Sequence, residues 1–258
     1  MTQPAIETDS LTKAYDGETA VRDIDLHIES GEVYGFLGPN GAGKTTTMRM
    51  LTTLTRPTSG EARVAGQPIT QRDAVTPHIG YLPEEPPLYD ELTAMEQLQY
   101  IAGLRDIPDD AADERIESLL KRFDLYEDAD KRIDAYSKGM RQKTGVIQAV
   151  LHEPDVVFLD EPTSGLDPRA ARTMRDTIAD LADQEMTVFL STHILPVVDE
   201  LADRIGVLHD GRIVAEGAPD DLKRRAETAE AGGAGDGATA SQTRSLEDAF
   251  LEITTDIE

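Results

Sequence analysis

The residues most plainly equipped for chemistry run from Gly38 to Thr46: Gly38-Pro39-Asn40-Gly41-Ala42-Gly43-Lys44-Thr45-Thr46. A glycine-rich turn lets backbone N–H groups converge on phosphate oxygens, because no Cβ blocks their approach. In such a turn Lys44 is set to reach the β- and γ-phosphates of a nucleotide, and the Thr45 hydroxyl to coordinate Mg²⁺. A carboxylate pair, Asp160-Glu161, closes the apolar run Val156-Val157-Phe158-Leu159. Alone, such a pair suits a strand end reaching solvent. Beside a phosphate loop it supplies what phosphoryl transfer to water requires: Asp160 for the metal, directly or through water, and Glu161, on the other side of the strand direction, as general base.

His193 closes Ser191-Thr192-His193 at the end of another apolar run, where ligands of α/β sheets collect. It can hydrogen-bond a γ-phosphate or hold the attacking water. His27, His78, His152 and His209 have no comparable surroundings and read as surface or structural residues. Ser137 heads Ser137-Lys138-Gly139-Met140-Arg141-Gln142, a serine N-cap with a nearby glycine and free N–H groups. That is a second anion site without a metal ligand. One nucleotide could be gripped by both helix starts only if two copies of the chain meet. Tyr15 stands beside the Asp16-Gly17 turn, where spacing alone favours packing over ligand stacking.

These residues need strands and helices to hold them. Val33 to Leu37 reads as a strand entering the phosphate loop, and a helix leaves it from about Thr45 to Leu54, broken by Pro57-Thr58-Ser59-Gly60. Before the loop, Asp16-Gly17 turns a hairpin in which Ile24, Leu26 and Ile28 alternate with Asp25, His27 and Glu29. Glu61–Ala65 and His78–Leu82 are further short strands. Thr93 and Glu96 form a capping box for a helix through about Ala102, and Ile116, Leu119, Leu120 and Phe123 keep helical spacing over Asp113–Phe123.

Residues 86–150 therefore read as a helical insert between strand-containing parts. Asp167-Pro168 caps a helix to about Asp183, followed by strand Thr187–Ser191, a helix around Val197–Ala202, strand Ile205–Leu208 and a turn at Asp210-Gly211 into Arg212–Ala215. The fold class is α/β, a wound core with right-handed crossovers around the phosphate loop, joined by an N-terminal antiparallel β subdomain and the inserted α-helical subdomain. Residues 1–225 form this nucleotide-binding domain, 226–245 read as a flexible Ala/Gly/Thr-rich linker, and 246–258 as a C-terminal helical segment presenting Leu246, Phe250 and Ile253 on one face.

The 258 residues carry a formal net charge of −25 and no cysteine. The charge opposes sequence-independent binding to nucleic acid or anionic lipid, and the cysteine count excludes disulfides and thiolate metal sites. No run approaches a membrane span, and the acidic opening residues lack the form of a secretory leader. A cytosolic protein is expected, held at a membrane only by a partner. Seven lysines against eighteen arginines, with abundant carboxylates, resemble the usage of salt-loving organisms, whose cytosol screens self-repulsion within about 3 Å at 1 M salt.

The ordered set resembles the ATP-binding-cassette ATPases over about residues 5 to 225. Gly38–Thr45 matches the family's phosphate loop, and Val156–Glu161 its metal-binding strand with the following glutamate. Ser137–Gln142 stands where the signature belongs, Ser164-Gly165-Leu166-Asp167 looks like the D-loop, and His193 like the switch histidine. The resemblance implies ATP and Mg²⁺ as ligands, Tyr15 stacked on adenine, and a head-to-tail dimer. Ser137 and Gly139 of one copy would then contact the γ-phosphate held by the other, with Asp167 at the same junction.

It further implies a soluble ATPase subunit of an exporter, working through a separate polytopic permease at the cytoplasmic face of the membrane. An ATPase acting on soluble macromolecules usually carries two cassettes or a long coiled coil, which this length does not hold. An importer subunit is disfavoured by two departures. Tyr136-Ser137-Lys138-Gly139-Met140 replaces the usual Leu-Ser-Gly-Gly-Gln, adding the Lys138 cation near the γ-phosphate, and Glu84 stands where a glutamine usually touches Mg²⁺ or the water. Both, with terminal Leu246–Glu252, look like the ABC-2 exporter subgroup.

Overall fold

The computed structural model describes residues 3–182, 186–224 and 250. The chain opens as a hairpin of β1 (Ile6–Tyr15) and β2 (Glu18–Ile28) around Asp16-Gly17. Ile24, Leu26 and Ile28 are buried while Asp25, His27 and Glu29 face outward, as their alternation predicts. Strand β3 (Val33–Leu37) leads through the phosphate loop into α1 (Lys44–Leu51). β4 (Ser59–Val64) then pairs with β1, and β5 (Gln67–Pro68) completes an antiparallel sheet of order β2-β1-β4-β5.

After α2 (Arg72–Val75), strand β6 (Ile79–Leu82) precedes three helices, α3 (Ala94–Leu104), α4 (Asp109–Arg122) and α5 (Lys138–Val150). The chain continues through β7 (Val156–Asp160), α6 (Pro168–Ala182), β8 (Thr187–Thr192), α7 (Leu195–Leu201), β9 (Arg204–His209) and β10 (Arg212–Gly217). The second sheet runs β10-β9-β3-β8-β7-β6, parallel except at the β10 edge. Parallel strands must be covered on both faces, and the burial of every residue of β3, β7 and β8 shows that they are.

The two faces make two cores. Tyr34, Phe36, Phe158 and Phe189 point toward α1 and the antiparallel sheet, and the Tyr34 and Phe189 rings stack at 5.6 Å. Leu37, Val157, Leu159 and Leu190 point the other way and share a core with Leu98, Ile116, Ile147 and Ile178 of the helices. The inserted helices are thus fused to the sheet through one continuous apolar cluster. The ends of the functional strands inherit this rigidity.

Some boundaries differ from the sequence expectation for identifiable reasons. α1 stops at Leu51, not Leu54, because Thr53 takes φ 63° and the N–H groups of Leu54 and Thr55 turn back onto Arg49 O at 2.8 and 2.9 Å. α4 starts at Asp109 rather than Asp113; its first turn carries Asp109 and Asp110, which favour the positive helix end but have no apolar periodicity to reveal them. The capping box is present in full, Thr93 Oγ1 accepting from Glu96 N–H at 3.1 Å and Glu96 Oε2 from Thr93 N–H at 2.9 Å. The 226–245 linker lies outside the described residues, as does the terminal segment except Phe250, which packs half-buried against the helical-side core.

Candidate active site

Three chain segments deliver the site to one end of the parallel strands. The phosphate loop follows β3, Asp160 ends β7, Glu161 follows it, and Thr192 and His193 close β8. β3 and β7 both flank β8, so residues far apart in sequence become neighbours. Gly43, the N-cap of α1, takes φ 109°, a conformation that excludes an ordinary side chain. A Cβ there would also sit 2.5 Å from Ala20 O, so this glycine serves close packing onto the hairpin as well as room for phosphate. No side chain caps α1, and its first N–H groups remain directed ahead of the helix.

Lys44 is almost completely buried, and its three ammonium protons meet three acceptors: Gly38 O at 2.7 Å, Pro39 O at 3.2 Å and Glu161 Oε1 at 3.3 Å. Thr45 Oγ1 donates to Asp160 Oδ2 at 2.8 Å, and Ser191 Oγ donates to Asp160 Oδ1 at 2.8 Å. Burial lifts the Asp160 carboxyl above the ordinary carboxylate range. The Thr45 and Ser191 hydroxyls and the Lys44 ammonium pull it back, while Glu161 adds to the lift.

Glu161 does not simply alternate to the far side of β7, as the sequence reading assumed. It takes φ 49°, leaving the strand in a left-handed turn while its N–H donates to Ser191 O at 2.9 Å. Both carboxylates therefore face the phosphate loop, Asp160 on Thr45 and Glu161 on Lys44. A non-glycine residue held in this region is costly and persists where surrounding bonds over-determine it. Here Thr192 Oγ1 donates to Glu161 Oε2 at 3.1 Å and His193 Nδ1 lies 3.0 Å from Oε1. The Thr192 hydroxyl is itself oriented by the Ile194 N–H at 3.1 Å. Ser191 and Thr192 are site residues that sequence reasoning named only as neighbours of His193; polar side chains directly after the apolar run Val188-Phe189-Leu190 were the available signal.

The donor set fits Mg²⁺. Thr45 and Asp160 bring a hydroxyl and a carboxylate into one hydrogen-bonded position, hard oxygen ligands of the kind this ion takes alongside phosphate oxygens. Among the described residues no group of three or more His, Cys, Asp or Glu could hold a metal, so this is not an all-protein cage.

The remaining predicted residues stand apart from this cluster. Tyr15 is half-exposed at the hairpin tip, with Lys13 Nζ 4.8 Å from its ring centroid. Ser137 is exposed and caps α5, accepting from Met140 N–H at 3.3 Å; a Cβ on Gly139 would approach that of Ala170 to 3.2 Å. Asp167 Oδ1 caps α6, accepting from Arg169 and Ala170 N–H at 3.0 and 3.1 Å. Glu84 is exposed after β6 and accepts from Ser164 Oγ at 3.3 Å. The Lys138 side chain lies against Gly165, its Cε 3.5 Å from where a Cβ would stand.

The ABC transporter family profile matches residues 21–164. The chain is 43% identical over 225 residues to a daunorubicin/doxorubicin resistance ATP-binding protein of Streptomyces peucetius, covering 86% of this chain and 68% of the relative. It is 39% identical over 222 residues to a bacitracin transport ATP-binding protein of Bacillus licheniformis, covering 85% and 72%. A solved structure of an ATP-binding subunit of an ABC transporter superposes with TM-score 0.81 at 30% identity, covering 96% of this chain and 99% of that one.

Proposed function

The chain belongs to the ABC transporter family, and from that membership we propose that it is the ATP-binding and ATP-hydrolysing subunit of an exporter. One observation carries the catalytic part: Thr45 on Asp160 and Lys44 on Glu161, two paired contacts that join the phosphate loop to the two carboxylates. Residues 38–46 cradle the phosphates through backbone N–H groups, and Lys44 neutralises the β- and γ-oxygens. Thr45 and Asp160 would hold Mg²⁺, with Glu84 as a further oxygen donor, and the ion would there supply positive charge opposite the transferring phosphoryl group.

Glu161 orients and deprotonates the attacking water, and His193 fixes the Glu161 carboxylate and reaches the γ-phosphate. Tyr15 stacks on adenine. Ser137 and Gly139 of a second copy, with Asp167 at the junction, complete the site in a head-to-tail dimer. Both anion-binding helix starts then grip one nucleotide, which is the physical reason for ATP to close the dimer and hydrolysis to open it.

Among the described residues no helix is long and apolar enough to cross a membrane. By family membership, we infer that the subunit works through a separate polytopic permease, as a peripheral protein of the cytoplasmic face, and that this partner selects the substrate. By the family resemblance, the permease docks in the groove near Glu84 and the inserted helices. The acidic surface adds no lipid or nucleic-acid binding of its own, and its charge suits a cytosol of high salt.

The decisive experiment uses Glu161→Gln. Purified wild type should hydrolyse ATP only with Mg²⁺, whereas Glu161→Gln should keep ATP binding, lose turnover by about 10²–10⁴-fold, and elute as a dimer with ATP. Ordinary hydrolysis by the variant would remove the role of Glu161. Failure to co-purify with a polytopic membrane protein would remove the exporter assignment while leaving the ATPase.

A further inference from the structure

Two side chains of opposite charge, from segments far apart in sequence, end on adjacent residues of the loop that follows Glu161. Glu84 Oε1 accepts the Ser164 hydroxyl at 3.3 Å. The Lys138 side chain, leaving the start of α5, runs along Gly165, and its ammonium occupies the space that a Cβ on Gly165 would need. Gly165 has φ 63°. Position 165 is therefore restricted by its backbone conformation, with the mobile end of the lysine lying against it.

The loop is coupled directly to Glu161. Ser164 N–H donates to Glu161 O at 3.0 Å, and Leu166 N–H to Thr163 O at 3.3 Å, before Asp167 caps α6. A shift of Ser164 thus reaches the backbone of Glu161 through one hydrogen bond. We propose that Glu84 and Lys138 are a pair of positioning residues that brace Ser164-Gly165 from two sides and so hold Glu161 in register with the water it activates.

Both residues are exposed, so these two contacts contribute little to folding, and the brace acts on geometry. This inference rests on the ATPase reading above. It differs from that reading in giving Glu84 the work of placing a loop in addition to any contact with Mg²⁺.

The test uses the full-length protein with Glu84→Ala, Lys138→Ala, the double variant and Glu84→Gln, whose amide oxygen still accepts from Ser164. Measurements are kcat, ATP affinity, the Mg²⁺ concentration for half-maximal rate, and amide hydrogen exchange over residues 161–168. Each alanine variant should lower kcat about tenfold, with ATP affinity unchanged within twofold, and should speed exchange in that segment; Lys138→Ala should also leave the Mg²⁺ requirement unchanged. The double variant should be no slower than the slower single, and Glu84→Gln should recover most of the rate. Multiplicative losses in the double variant, or unaltered exchange, would overturn the brace. A wild type without ATPase activity would sink the parent reading instead, and the exchange data would still decide whether the two residues hold the loop.

Discussion

Lys44 and Glu161 form an ion pair inside the protein, Nζ to Oε1 at 3.3 Å, with only 6% and 8% of the two side chains exposed. The residues proposed as phosphate-binding cation and general base are therefore also electrostatic partners. Breaking a buried pair from one side strands a charge and typically costs roughly 3–5 kcal/mol. Thr192 and His193 still contact Glu161, so Lys44→Met should lower unfolding stability by about 2 kcal/mol and abolish ATP binding. Lys44→Met/Glu161→Gln should regain most of that stability, since no lone buried charge remains, without regaining ATP. Urea unfolding and calorimetric titration separate the two effects.

Thr192 is fully buried and orients Glu161 Oε2. Thr192→Val keeps its shape but removes the donor to Glu161 and the acceptor for Ile194 N–H. We expect kcat to fall about tenfold with ATP affinity unchanged, and stability to fall by about 1–3 kcal/mol for the unsatisfied N–H. A loss confined to ATP affinity would mean that Thr192 acts on the nucleotide instead.

Tyr15, half-exposed at the hairpin tip, should contribute through its ring face alone. Aromatic stacking on a base is worth about 1–3 kcal/mol, so Tyr15→Ala should weaken ATP binding roughly 5- to 150-fold. Tyr15→Trp should stay close to wild type, and the affinity for tripolyphosphate should not change in either variant. A parallel loss with tripolyphosphate would place the effect on the loop rather than on adenine.

His152 supplies a pH dependence remote from the active site. Burial, with help from Arg105 and Arg115, pushes its imidazole down to about 4, against the bond from Nε2 to Ile79 O at 2.9 Å. The folded form resists protonation while the unfolded chain accepts a proton near the usual value of about 6.5. This contribution is present above that value and is lost as pH falls from about 6.5 toward about 4. Stability of wild type should thus drop more between pH 7.5 and pH 5 than that of His152→Gln, measured by urea midpoint. Equal slopes would remove His152 as the cause.

The charge of −25 gives a salt dependence of its own. Repulsion among surface carboxylates is screened within about 3 Å at 1 M salt, so the unfolding temperature should be higher in molar KCl than in dilute buffer. An equal unfolding temperature would argue against adaptation to salt.

Much of the site was legible because its signals are short-range. Gly43 and Lys44 specify a phosphate loop by local conformation and reach, and Thr93 with Glu96 specifies a helix start within one turn. The alternation of Ile24, Leu26 and Ile28 needs only the strand period. Less was legible where a residue acts against its type. Glu161 and Thr53 take left-handed backbone without being glycine, so neither the inward turn of the base nor the early end of α1 had a sequence mark.

The sequence by itself determined which chemical groups this protein owns and which short elements carry them: the loop, the carboxylate pair at the end of an apolar strand, the histidine after another, the capped helices. Only the tertiary structure decided who meets whom. Thr45 reaches Asp160 across 115 positions and Ser164 reaches Glu84 across 80, because sheet order places β8 between β3 and β7 and β6 beside β7. The physical reason is the range of the forces. Propensity and periodicity act within a few residues, whereas strand order is settled by the collective burial of two sheet faces, which no single stretch of the chain records.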